Sequence, residues 1–95
     1  LSREFIDQHG AVSEEAALAM AKGAMEKAGT DIGLSVTGIA GPTGETPDKP
    51  IGLTYIALCD QNTSIARRFL FRGSRTDNRR RATLSALTML WKKIK

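Results

Sequence analysis

Ninety-five residues, 41% hydrophobic and 25% charged, allow one small globular domain and exclude a disordered or collagen-like chain. No apolar run approaches the roughly 20 residues of a membrane span, and the N-terminal LSREFIDQHG has no apolar signal-peptide core. The net charge of +4 hides a division: residues 1–66 carry four Lys/Arg against nine acids, a net of −5, and residues 67–95 carry ten against Asp77 alone, a net of +9.

The predicted elements follow in chain order. Residues 2–9 suit a short helical turn that Gly10 stops. Ser13 followed by Glu14 and Glu15 is a helix start, with a hydroxyl to cap a free N–H and two carboxylates at the positive end of the dipole. Ala16, Ala17, Met20, Ala21, Ala24, Met25 and Ala28 recur at helical spacing, and Gly29 suits the C′ position. Ile32, Leu34 and Val36 alternate with Gly33, Ser35 and Thr37, which predicts a strand. IGLTYIALC, from Ile51, predicts a second strand, apolar on nearly both faces and therefore central. Asp60-Gln61-Asn62 turns the chain into a third strand, TSIARRFLF, antiparallel to the second, with Ile65, Phe69 and Phe71 on one face beside Arg67. Ser74-Arg75-Thr76-Asp77 has the S-x-x-D form of a helix start, and the helix runs to about Ile94. The expected order is α-α-β-β-β-α, an α/β layer structure. Three strands with one deep helix on each side form a thin domain, so the chain reads as part of a larger sheet or as half of a tight dimer.

Two features bear chemistry. Between the first two strands the chain spends all three prolines (Pro42, Pro47, Pro50) and Gly38, Gly41 and Gly44 on one connection. Glycine lets backbone approach a ligand, and proline stiffens what glycine loosens. The connection lacks G-x-G-x-x-G and the G-K-[ST] of a P-loop, and a strand follows it rather than a helix. Ligand wall and stiff structural link both stay open. The second feature is FRGSRTDNRRRA, an arginine-rich helix start of the kind that holds anions. A wheel at 100° per residue centres an apolar stripe near Leu87, with Thr83, Leu84, Leu90, Trp91 and Ile94. Arg80 falls in line with that stripe and Arg79 on its border, so both are expected to reach the sheet edge. Arg81 points to solvent. An ion pair with Asp77 would equally account for Arg75.

Other residues give less. His9, the one histidine, has no ligand-spaced companions, so no metal is expected. Cys59 cannot close an internal disulfide and reads as a small core residue of a cytoplasmic protein. Ser35 and Thr37 have no evident base and are not read as nucleophiles. A nucleic-acid partner is conceivable for the basic end but not favoured, because Phe69, Phe71 and Trp91 are expected to be buried rather than offered for stacking.

HGAVSEEAALAMAKGA, LSVTGIAGPTGETPDKPIGLTYIAL and FRGSRTDNRRRATLSAL, in that order, resemble the CinA (competence/damage-inducible protein A) C-terminal domain family. Its stand-alone form is nicotinamide-nucleotide amidohydrolase (PncC). The resemblance implies an α/β/α sandwich with a mixed sheet, of which residues 1–95 form the C-terminal part. It implies hydrolysis of nicotinamide mononucleotide to nicotinate mononucleotide and ammonia in the bacterial cytoplasm, without a cofactor. The family's proposed catalytic serine lies in E-S-C-T-G-G, helped by a tyrosine and a lysine, and that motif does not occur in these residues. No catalytic residue is therefore assigned here. The positions that match the family's ligand-facing motifs are Thr37, Gly38, Ile39, Ala40, Gly41 and Pro42, then Arg75, Arg79 and Arg80 beyond Gly73. The chain departs from the family's F-P-G-D-R at Arg72 and Ser74, and has Glu45 where Gly-Gly is usual. The expected partners are nicotinamide mononucleotide or a related phosphorylated small molecule and further copies of the chain, with no membrane. A catalytically inactive regulatory or nucleic-acid-interacting module is the alternative.

Overall fold

The computed structural model describes residues 4–5, 10–39 and 49–94. Its element order is α1 (Glu14–Ala28), β1 (Gly33–Gly38), β2 (Leu53–Cys59), β3 (Ser64–Leu70) and α2 (Arg75–Ile94). Glu4 and Phe5 are helical, and the rest of the expected first turn lies outside the described residues.

α1 begins where its chemistry says it should. The Ala16 N–H donates to Ser13 Oγ at 3.1 Å, and Glu14 and Glu15 occupy the first turn. It ends at Gly29, whose left-handed φ of 66° lets the Thr30 N–H reach the Met25 carbonyl at 3.1 Å. Its alanine face, Ala16, Ala17 and Ala21 with Met25, is buried.

The strands form one sheet in the order β1-β2-β3, antiparallel throughout the described residues. The register pairs Val36 with Ile56 and Gly38 with Thr54 on one side of β2, and Ile56 with Arg67 on the other. β2 is central and nearly all buried, as its two-faced apolar sequence requires. Alternation then divides the side chains between two layers. Ala57 and Cys59 join Ala17, Ala21 and Met25 beneath α1, while Ile56 and Leu58 join Ala86 and Met89 beneath α2. Ile56 and Leu53 are almost wholly withdrawn from water, each stabilising the fold by about 1.5–3 kcal/mol. Cys59 is the small core residue expected of it.

α2 starts at the predicted place, with the Asp77 N–H donating to Ser74 Oγ at 3.2 Å. Its rotation differs from the sequence expectation. The face turned to the sheet is Asn78, Ala82, Ala86 and Met89, whereas Leu84, Leu87, Trp91 and Ile94 are exposed. The physical reason is closeness. Two alanines let the helix axis approach a sheet already filled by Ile56, Leu58 and Phe69, where a leucine would hold it away. Trp91 is consequently not a core residue. Phe69 and Phe71 are partly buried, and their rings stack at 5.5 Å. No helix among the described residues is long and apolar enough to cross a membrane.

Candidate ligand site

The end of β1 and the start of α2 meet on the α2 face of the sheet. Between them lies a pocket of about 240 Å³ lined by Val36, Gly38 and Thr54 from the strands and by Arg75, Asn78, Arg79 and Ala82 from the helix. Each residue has a local cause. Val36 and Gly38 are two apart on β1, so they share a face. Thr54 stands opposite Gly38 in the register. Arg75, Asn78, Arg79 and Ala82 follow the three- and four-residue spacing of one helix side.

Gly38 shapes the pocket by what it lacks. A Cβ there would stand 2.7 Å from Thr54 Oγ1 and 3.0 Å from the Leu53 carbonyl oxygen. The bare backbone therefore forms the strand-side wall. Thr54 is buried, and its hydroxyl donates to the Gly52 carbonyl at 3.3 Å. Asn78 is 3% exposed, a polar side chain deep in the wall below the two arginines. Arg75 and Arg79 are themselves exposed and border the opening. Two fixed cations at the first turns of a helix make this wall attractive to an anion.

The other matched positions are distributed differently. Thr37 Oγ1 donates to the Ala11 carbonyl at 2.7 Å, and Ser35 Oγ donates to the Ala17 carbonyl at 2.5 Å. Both hydroxyls thus serve the α1 face, away from the pocket. Ile39 continues the sheet: its N–H donates to the Leu53 carbonyl at 2.9 Å, and its carbonyl accepts from the Gly52 N–H at 2.5 Å. Lys49, at the far end of the connection, donates to the Val12 carbonyl and ties that end to the approach to α1. Ala40, Gly41 and Pro42 lie outside the described residues. Arg80 is exposed on the side of α2 that carries Leu84 and Leu87, because the buried stripe is not the one the wheel selected. Thr54, Asn78, Val36 and Ala82 were not singled out from sequence. The strand register and the rotation of α2 would have found them, and neither is written in a local motif. No cluster of three or more metal-ligating side chains occurs among the described residues.

A layered α/β domain whose strand end and arginine-bearing helix start enclose a small pocket defines a candidate binder of small anionic ligands. The comparisons with known proteins then place it. The model of the CinA C-terminal domain family matches residues 1–94, and the chain belongs to that family. A CinA-like protein of Citrifermentans bemidjiense is 54% identical over 85 residues, 90% of this chain and 20% of its own. Among solved structures, the competence/damage inducible protein CihA of Agrobacterium tumefaciens superposes with a TM-score of 0.93 at 33% identity, covering 99% of this chain and 58% of that one. Competence damage-inducible protein A of Klebsiella pneumoniae gives 0.91 at 31%, covering 98% and 58%. The chain spans about a fifth of the length of the curated relatives and a little over half of these solved chains.

Proposed function

We propose that this chain supplies the phosphate-facing part of a nicotinamide mononucleotide site, and that the complete domain hydrolyses the amide of that ligand to a carboxylate and ammonia. The observation that carries the reading is the meeting of Gly38 with Arg75 and Arg79 across one pocket. A phosphate monoester is dianionic near neutral pH, and guanidinium groups bind it through paired, planar N–H donors that stay charged at any physiological pH. A strand backbone without a Cβ lets the ribose or phosphate come close on the other side.

Size argues in the same direction. A volume of about 240 Å³ falls below the roughly 300 Å³ at which small-molecule pockets usually begin. It holds a phosphate and part of a sugar better than a whole nucleotide. The chemistry agrees. Among the described residues that line the pocket the one hydroxyl, on Thr54, donates to the Gly52 carbonyl, and no carboxylate or histidine lines the pocket beside it. In the reaction the resemblance implies, the family's proposed serine attacks the carboxamide carbon and expels ammonia, and water then attacks the acyl intermediate to yield the acid. E-S-C-T-G-G, where the resemblance puts that serine, is not among these residues.

The test joins this chain to an N-terminal segment that carries E-S-C-T-G-G and follows ammonia release from nicotinamide mononucleotide. The chimera is expected to turn over. Arg75→Ala or Arg79→Ala should raise KM about tenfold or more while changing kcat less, as for lost ground-state binding. A folded chimera that binds the nucleotide but releases no ammonia would remove the activity. Unchanged KM in both arginine variants would remove the site.

A further inference from the structure

Asn78 is the one polar residue on the line of α2 that faces the sheet, where Ala82, Ala86 and Met89 follow it. Asparagine is a weak helix former, and a carboxamide is buried only where hydrogen bonds replace water. Packing and helix propensity alone would favour an alanine or a leucine at this position. Its place in the fold gives a reason for the exception: Asn78 lines the pocket between the end of β1 and the start of α2.

That pocket is graded from mouth to depth. Arg75 and Arg79 are exposed and put charge at the mouth, beside the open Val36 and Gly38. The deep wall is neutral: Asn78, Thr54 and Ala82 are 3–8% exposed. Thr54 turns its hydroxyl proton to the Gly52 carbonyl. Asn78 is the deep side chain that offers both N–H donors and acceptor lone pairs. A phosphate dianion is held best where guanidinium groups and water both reach it, because a neutral wall does not replace its hydration. The group that suits the depth is neutral and carries both hydrogen-bonding functions, as a sugar hydroxyl does.

We propose that Asn78 is a specificity-determining residue that binds a ribose hydroxyl of a sugar phosphate whose phosphate Arg75 and Arg79 hold at the mouth. The inference rests on the phosphate-facing reading of the pocket and adds the part of the ligand that sits beyond the phosphate. A carboxamide has four hydrogen-bonding positions, so one hydroxyl can be bound while the others stay with the protein. The volume of about 240 Å³ admits the hydroxyl edge of the sugar and leaves the base outside. A ligand without that hydroxyl leaves a buried amide position unpaired, which is why such a contact discriminates.

The test titrates the isotope-labelled chain with methyl riboside 5-phosphate, its 2-deoxy and 3-deoxy analogues and inorganic phosphate, followed by nuclear magnetic resonance. The riboside should move the Asn78 side-chain amide signals. At least one deoxy analogue should bind about fivefold or more weaker and leave those signals in place. In Asn78→Ala, whose circular dichroism should match the parent, the riboside and that analogue should bind alike, and inorganic phosphate should bind as it does to the parent. The deoxy analogues probe the same contact on the parent chain without any substitution. Equal binding of all three sugar phosphates, or a preference for the riboside that survives in Asn78→Ala, would overturn the proposal. So would an equal loss of inorganic phosphate and riboside binding in Asn78→Ala, which assigns the amide to the phosphate. In each of these cases weaker binding of every ligand to Arg75→Ala keeps the phosphate-facing reading. Failure of every phosphate to bind, or no effect of Arg75→Ala, removes that reading and this proposal with it.

Discussion

At the scale of single residues, two glycines are required by the closeness of neighbouring atoms, Gly38 in the pocket wall and Gly52 before β2. Gly52 precedes β2 with φ of +92°, and a Cβ there would stand 1.8 Å from the Phe71 carbonyl oxygen. Its own carbonyl accepts the Phe71 N–H at 3.0 Å, which locks β2 to the exit of β3. Gly52→Ala meets both a disfavoured backbone region and a backbone clash, so a loss of about 3 kcal/mol or more is expected from urea unfolding. Gly38→Ala meets a milder obstacle, a hydroxyl and one carbonyl at the distances given above. It should lose about 1–3 kcal/mol. The two losses also differ in cause. In a Thr54→Ala background part of the Gly38→Ala cost should vanish, because one of its two obstacles is gone. A Gly38→Ala penalty that is unchanged in that background would mean the strand backbone, not Thr54, sets the limit.

At the scale of elements, α2 shows what sequence patterning reads and what it misses. Its start was legible because capping is local: Ser74 and Asp77 lie three residues apart, and the Asp77 N–H donates to the Ser74 hydroxyl. Its length was legible from the absence of any breaker after Gly73. Its rotation was not. A helix carrying both an alanine line and a leucine line has two surfaces that could face a sheet. Hydrophobicity favours the leucines, whereas the space above β1 and β2 admits the alanines. The same ambiguity did not arise for α1, whose alanine line is its only apolar line. The rotation makes a reversed prediction. Ala86→Leu, which a hydrophobic count would score as stabilising, should cost about 1–3 kcal/mol by overpacking against Ile56 and Leu58. Leu87→Ser should change stability by less than about 0.5 kcal/mol. Thermal unfolding of both variants beside the parent distinguishes this rotation from the one the sequence alone suggested.

At the scale of the whole molecule, half of the pocket was legible and half was not, and the boundary has a physical basis. Gly38, Arg75 and Arg79 stand in segments whose local chemistry is unusual. Thr54 and Asn78 are ordinary residues that become pocket walls only through strand register and helix rotation, both set by packing between segments far apart in sequence. The same long-range closure appears at the other end of the domain. Lys93, near the end of α2, pairs with Asp60 in the β2–β3 turn at 2.7 Å and closes the helix onto the sheet. The Asp60 carboxylate also accepts the Thr63 and Asn62 N–H groups at 2.7 and 2.8 Å, and the Thr63 hydroxyl at 3.2 Å. Lys93 first, and then these donors, hold the Asp60 carboxyl well below the ordinary aspartate value of 3.8. A depressed value in the folded state means that the unfolded chain binds this proton more readily. The turn therefore contributes stability that is fully present above the unfolded value, near pH 4, and is lost as pH falls through the folded value. Asp60→Asn should accordingly flatten the acid limb of the stability curve below about pH 4 and lower the plateau above it. Lys93→Met, which removes the largest of the causes, should flatten it in part. Urea midpoints measured from pH 2 to 7 provide the check, and an acid limb of the same slope in the parent and Asp60→Asn would place the acid sensitivity in other carboxylates.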